Sequence, residues 1–107
     1  MKLTVQPEAN GDVTEAMSWF VAQLRLETAG RLWRLWTAGL DAIESNPWAY
    51  PMVEDWRSAD PSIRNYLLPR YGYRIIYQVK QDGVLVVAFA RGRRKPGHGI
   101  DRLTEAP

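Results

Sequence analysis

The sequence predicts an α+β fold: an N-terminal strand, a helical hairpin, then a three-stranded antiparallel meander, with the helices packed on one face of the sheet. Three observations predict it. Two consecutive segments before Pro47 carry apolar residues at helical spacing. After Pro61 the pattern changes to short runs rich in β-branched and aromatic residues. Between two of those runs, Gln81-Asp82-Gly83 supplies the turn chemistry of a hairpin.

Each element follows from local chemistry. Lys2 to Gln6 alternates polar and apolar residues, with Leu3 and Val5 on one side, and Pro7 ends this strand because it has no N–H to donate. The first helix begins between Pro7 and Asp12: Pro7 suits the first helical position, whereas Asp12 with Glu15 suits a capping box. Val13, Met17, Phe20 and Leu24 form its apolar stripe. A break near Glu27 to Gly30 precedes a second helix from Ala29 to Ser45. Leu32, Trp33, Trp36, Leu40 and Ile43 mark its buried face, with both tryptophans in the core and Arg31, Arg34 and Asp41 on the other side. Asn46-Pro47 stops it, and Pro47 to Pro61 reads as a long loop. Strands are expected at Ile63 to Leu68, Tyr73 to Lys80 and Val84 to Ala90. The last is apolar on both faces and is therefore placed in the centre of the sheet. A short helical turn is expected from Ile100 to Leu103.

The 107 residues are enough for one domain, 1–107, and too few for a second core. Cysteine is absent and histidine occurs once, so neither a thiolate nucleophile nor a transition-metal site is expected, and no cofactor is implied. The N-terminal residues hold no long apolar run, which predicts a cytoplasmic protein with neither signal peptide nor membrane span. No phosphate-cradling glycine loop is present.

The basic residues are unevenly spread: all but Lys2 lie from Arg25 onward. Arg91, Arg93, Arg94 and Lys95 form one dense cluster, suited to RNA phosphates or to an acidic protein surface, or else to a solvated charge run. His98 is the obvious acid/base candidate near neutral pH, although it stands between glycines with no clear group to orient it. Tyr66, Tyr73 and Tyr77 suit either stacking on bases or cross-strand packing. Trp48 and Trp56, in the long loop, suit a partner interface or a cover for the sheet edge.

Several local patterns, in this order, resemble the RelE/ParE toxin superfamily of type II toxin–antitoxin systems, which includes the plasmid stabilisation proteins. They are Glu15-Ala16-Met17-Ser18-Trp19-Phe20-Val21-Ala22-Gln23, Ile43-Glu44-Ser45-Asn46-Pro47-Trp48-Ala49-Tyr50-Pro51, and Ile63-Arg64 with Leu67-Leu68. Tyr73-Arg74-Ile75-Ile76-Tyr77 follows, then Val86 to Ala90 and Arg91-Gly92-Arg93-Arg94-Lys95-Pro96. The resemblance spans residues 2–102. Two departures stand out. Arg91 occupies a place where the family often has His, and Gly97-His98-Gly99 follows the final Pro where it often has an aromatic residue. A lysine pair found in the ribosome-dependent RNases of the family is also missing, since Lys2, Lys80 and Lys95 are the only lysines.

The resemblance implies a bacterial growth inhibitor neutralised by a cognate antitoxin, whose acidic or amphipathic segment covers the basic sheet face or the helical hairpin. Its target is DNA gyrase in the ParE manner or the ribosome with mRNA in the RelE manner; a third reading is a binding module without toxicity. In an RNA-cleaving protein, Arg64 would face the sheet surface opposite the helices and, with Arg91 or Arg94, stabilise charge developing on phosphate, while His98 or a tyrosine moves a proton. A salt bridge from Arg64 to Glu54, Asp55 or Asp60 is the structural alternative. Arg74, Arg93, Lys95, Trp48 and Trp56 are the residues expected to contact a partner.

Overall fold

The computed structural model describes residues 2–53 and 60–91. Strand β1 (Lys2–Val5) leads into helices α1 (Pro7–Ala22) and α2 (Leu26–Ser45), a single 3-10 turn (Pro47–Ala49), and strands β2 (Ile63–Leu67), β3 (Tyr73–Lys80) and β4 (Gly83–Arg91). The four strands form one sheet in the order β1-β4-β3-β2. The meander β2-β3-β4 is antiparallel, whereas β1 runs parallel to β4, because the helical hairpin between them carries the chain back across the sheet. β4 is thus central, as its two-faced apolar pattern predicts.

Pro7 takes the first helical position of α1, and Gln6 precedes it as N-cap without a side-chain bond. The Asp12 carboxylate does not cap the helix but accepts the backbone N–H of Phe89 at 3.1 Å. β1 pairs β4 only as far as Val86, so α1 itself supplies a partner for the β4 edge beyond that point.

The break between the helices falls earlier than the sequence pattern places it: α1 stops at Ala22 and α2 starts at Leu26. The Arg25 N–H donates to Phe20 O and the Leu24 N–H to Val21 O, the pairing of a Schellman cap. Leu24 takes the left-handed position that glycine normally fills, with φ 58°. It stands outside the apolar stripe of α1, 87% exposed. Trp33 also departs from expectation: the buried residues of α2 are Thr28, Ala29, Leu32, Trp36, Gly39 and Ile43, and Trp33, one step round the helix, is half exposed.

The main core lies between the hairpin and one sheet face, with Trp36, Leu32, Ile43, Ile75, Tyr77, Val86 and Phe89 at its centre. Gly39 lets α2 approach the sheet closely; a Cβ there would sit 2.7 Å from Ile75 Cδ1. A smaller cluster of Ile63, Ile76, Val87 and Ala88 lies on the other face. The register shifts between Ile76, opposite Ala88, and Tyr77, opposite Val86, leaving Val87 as the extra residue of a bulge. Met52 bridges Arg64, and Val53 and Asn65 exchange backbone bonds with Ile63 and Pro51, so residues 51–53 cover the outer edge of β2. No described helix is long and apolar enough to cross a membrane.

Candidate functional site

Of the described arginines expected on the open sheet face, Arg64 and Arg91 lie on the helix side and Arg74 alone lies on the other. Arg64 stands opposite Tyr77 in the β2–β3 ladder and therefore points to the helix side of the sheet, not away from it. Its Nε donates to Pro61 O at 2.7 Å, and its Nη1 donates to Tyr50 O at 3.0 Å and Trp48 O at 3.3 Å. Its guanidinium lies over the Trp48 ring, 4.9 Å from the centroid. Arg64 thus binds the turn after α2 to the start of β2. Its described bonding is to backbone carbonyls, and Glu54 and Asp55, two of the carboxylates expected to pair with it, lie outside the described residues. Trp48, half exposed, keeps its remaining surface open to solvent.

Arg91 also lies on the helix side, opposite Tyr73, with its guanidinium 5.8 Å above that ring. Tyr73 stacks in turn on Phe89, 4.6 Å between centroids. These residues and Asp12, Glu15, Ser18 and Trp19 of α1 line a cleft of about 470 Å³. Arg74 lies on the opposite face, paired with Leu67 and Ala90, and donates to Asn65 Oδ1 at 2.9 Å. The Asn65 amide donates to Pro51 O at 3.2 Å, so Arg74 braces the covered β2 edge. Arg93, Arg94, Lys95, His98, Trp56 and the helical turn expected at 100–103 lie outside the described residues. Among the described residues, no group of His, Asp or Glu side chains is placed to hold a metal ion.

Of the tyrosines, Tyr66 and Tyr73 pack against the core, and Tyr77 is fully buried, its hydroxyl donating to Pro47 O at 2.7 Å. The packing reading of these strand residues therefore holds for all three.

A different cluster, not foreseen from the pattern, forms at the end of the molecule where the α1–α2 turn meets the β2–β3 turn. Arg31 Nη1 donates to the Tyr71 hydroxyl at 3.3 Å. The Arg70 guanidinium lies 5.2 Å from the Tyr71 ring centroid, and that of Arg25 lies 5.2 Å from the Phe20 ring centroid. Phe20 and Tyr71 are themselves in contact, 6.0 Å between centroids. The three arginines come from separate places in the chain, which is why no local charge run signals them. The one cue in sequence is the Tyr71-Gly72 pair, and both residues take positive φ, 73° and 72°.

The outer surface of the hairpin is apolar. Trp19, Val21, Leu24, Leu26 and Trp33 are about half exposed or more. Met17, Val21, Ala22 and Trp33, with Thr14 and Ser18, line a shallow groove of about 490 Å³.

No family model matches the sequence, and no curated protein matches it. Among solved structures, a chain from the chromosomal ParDE TA system of P. aeruginosa is similar, with a TM-score of 0.69 over 85% of this chain and 95% of that chain, at 16% identity. The two share a fold.

On this fold the tyrosines occupy opposed electrostatic settings. The hydrogen bond from Arg31, reinforced by the charges of Arg31, Arg70 and Arg25, holds the Tyr71 phenol below the usual tyrosine range. Burial pushes Tyr77 well above it. The two signs are opposite for stability. Tyr71 contributes stability above its unfolded value of about 10 and loses it as pH falls through the folded value; Tyr77 is fully favourable below about 10 and is lost as pH rises. A spectrophotometric titration will show an early phenol that Tyr71→Phe removes and Arg31→Gln moves upward, with Tyr77 last to ionise. Persistence of the early phenol in Tyr71→Phe contradicts the assignment.

The bonding of Arg64 makes a second prediction. Arg64→Gln leaves carbonyls of Trp48, Tyr50 and Pro61 without their charged donor, which will cost about 2 kcal/mol at this half-buried site. Arg64→Lys restores little of this, because an ammonium cannot reach three carbonyls in the guanidinium plane. Urea denaturation measures it. An unchanged midpoint in both variants means that Arg64 is not a structural clamp.

Proposed function

We propose that the protein is the toxin of a type II toxin–antitoxin module, acting in the bacterial cytoplasm and held inactive by a cognate antitoxin. The observation that carries this reading is the fold, shared over most of both chains with a chain of a ParDE TA system. The ordered sequence patterns from Glu15 to Pro96 support it independently, because they resemble the same superfamily.

Within that class, inhibition of DNA gyrase by binding is favoured over RNA cleavage. Ribonucleolytic chemistry without metal needs a charge-stabilising cation and a proton carrier converging on one phosphate. Among the described residues, Arg64 instead spends its Nε and Nη1 hydrogens on backbone carbonyls, and Arg91 sits over Tyr73 in the cleft beside α1. A gyrase inhibitor requires a contact surface and no such convergence. Induction of the chain alone, and together with the product of a neighbouring reading frame, tests the module. Growth arrest relieved by the second protein supports it, and unimpaired growth on strong induction refutes it. The macromolecule whose synthesis stops first separates gyrase from ribosome.

A further inference from the structure

The corner formed by Leu24, Arg25, Leu26, Arg31, Arg70 and Tyr71 departs from ordinary backbone preference at two positions. Among the described residues, the non-glycine residues with positive φ are Leu24 and Tyr71, and both are here. A left-handed backbone at a large side chain is strained, and such strain concentrates at functional sites. Leu24 adds a second cost, since it holds an apolar side chain 87% exposed at a cap position that glycine fills without strain. Leu26, on the other side of Arg25, is 65% exposed. Three guanidinium groups then gather on the neighbouring Tyr71–Phe20 pair, and the one described carboxylate acting there, Glu27 beside Arg31, leaves positive charge in excess.

We propose that this corner is a carboxylate-binding contact, in which Arg25, Arg31 and Arg70 receive an acidic side chain of a partner protein while Leu24 and Leu26 receive its apolar neighbours. It rests on the toxin–antitoxin reading only for the partner's identity, an acidic amphipathic antitoxin segment. A protein segment fits better than a nucleic acid. The exposed leucines would meet only sugar and phosphate on a nucleic acid, whereas they match an amphipathic helix.

The test uses the full chain and three probes: a synthetic helical peptide with leucines on one face and glutamates on the other, the same peptide with glutamine for glutamate, and a single-stranded RNA oligonucleotide. NMR reads the arginine Nε–H and Tyr71 ring signals. The glutamate peptide is expected to shift these signals, and the glutamine peptide to bind about tenfold more weakly. Arg31→Gln and Arg70→Gln should each weaken the glutamate peptide roughly fivefold while the thermal melt confirms that they fold. Leu24→Gly is the decisive variant, since it relieves strain and should raise the melting temperature yet weaken the peptide. Equal binding of both peptides, undiminished binding by Leu24→Gly, binding of RNA in place of peptide, or no binding at all overturns the proposal. Growth rescue in cells uses none of these probes, so failure here is distinct from failure of the toxin–antitoxin reading.

Discussion

Trp36→Ala will lower stability by about 4 kcal/mol, a large part of the roughly 5–15 kcal/mol that a domain of this size possesses. The indole is 1% exposed and packs edge-on against Phe89, 5.2 Å between centroids, where α2 faces the sheet. Its removal both forfeits apolar burial and leaves a cavity that Gly39, clasped between Ile75 and Tyr66, gives α2 little room to close. The comparison that isolates the mechanism is Trp33→Ala. That indole belongs to the same helix and was expected in the same core, yet it is half exposed and will cost about 1 kcal/mol or less. Urea midpoints of the two variants measure the difference; equal losses would place Trp33 in the core and contradict the packing.

The architecture was legible because each element carries its own period or punctuation. Pro7, Asn46-Pro47 and Asp82-Gly83 mark boundaries by backbone chemistry, and the apolar run of β4 announces its central place. What escaped has physical reasons too. The turn after α1 closes on a left-handed leucine, and no sequence rule expects Leu24 where glycine belongs. The parallel pairing of β1 with β4 depends on the path of the hairpin, which local periodicity does not encode. The face of Arg64 was misjudged because its role came from a resemblance, whereas the ladder with Tyr77 places it toward the helices. The Arg25–Arg31–Arg70 cluster was invisible because two turns far apart in sequence build it, while the visible run at Arg93–Lys95 lies outside the described residues.

On the proposed toxin reading, induction of the chain alone will reduce colony counts by orders of magnitude, the largest effect expected of this protein. A stable fold that blocks an essential enzyme needs no turnover, only accumulation beyond its target and its antitoxin. Trp36→Ala should lose toxicity because it loses the fold.

Pulse labelling of DNA and protein synthesis in the first minutes after induction examines the toxin assignment most directly. A gyrase-directed toxin predicts that thymidine incorporation falls first, while amino-acid incorporation continues and cells filament. Undisturbed labelling of both, in cells shown to contain the folded chain, would contradict it.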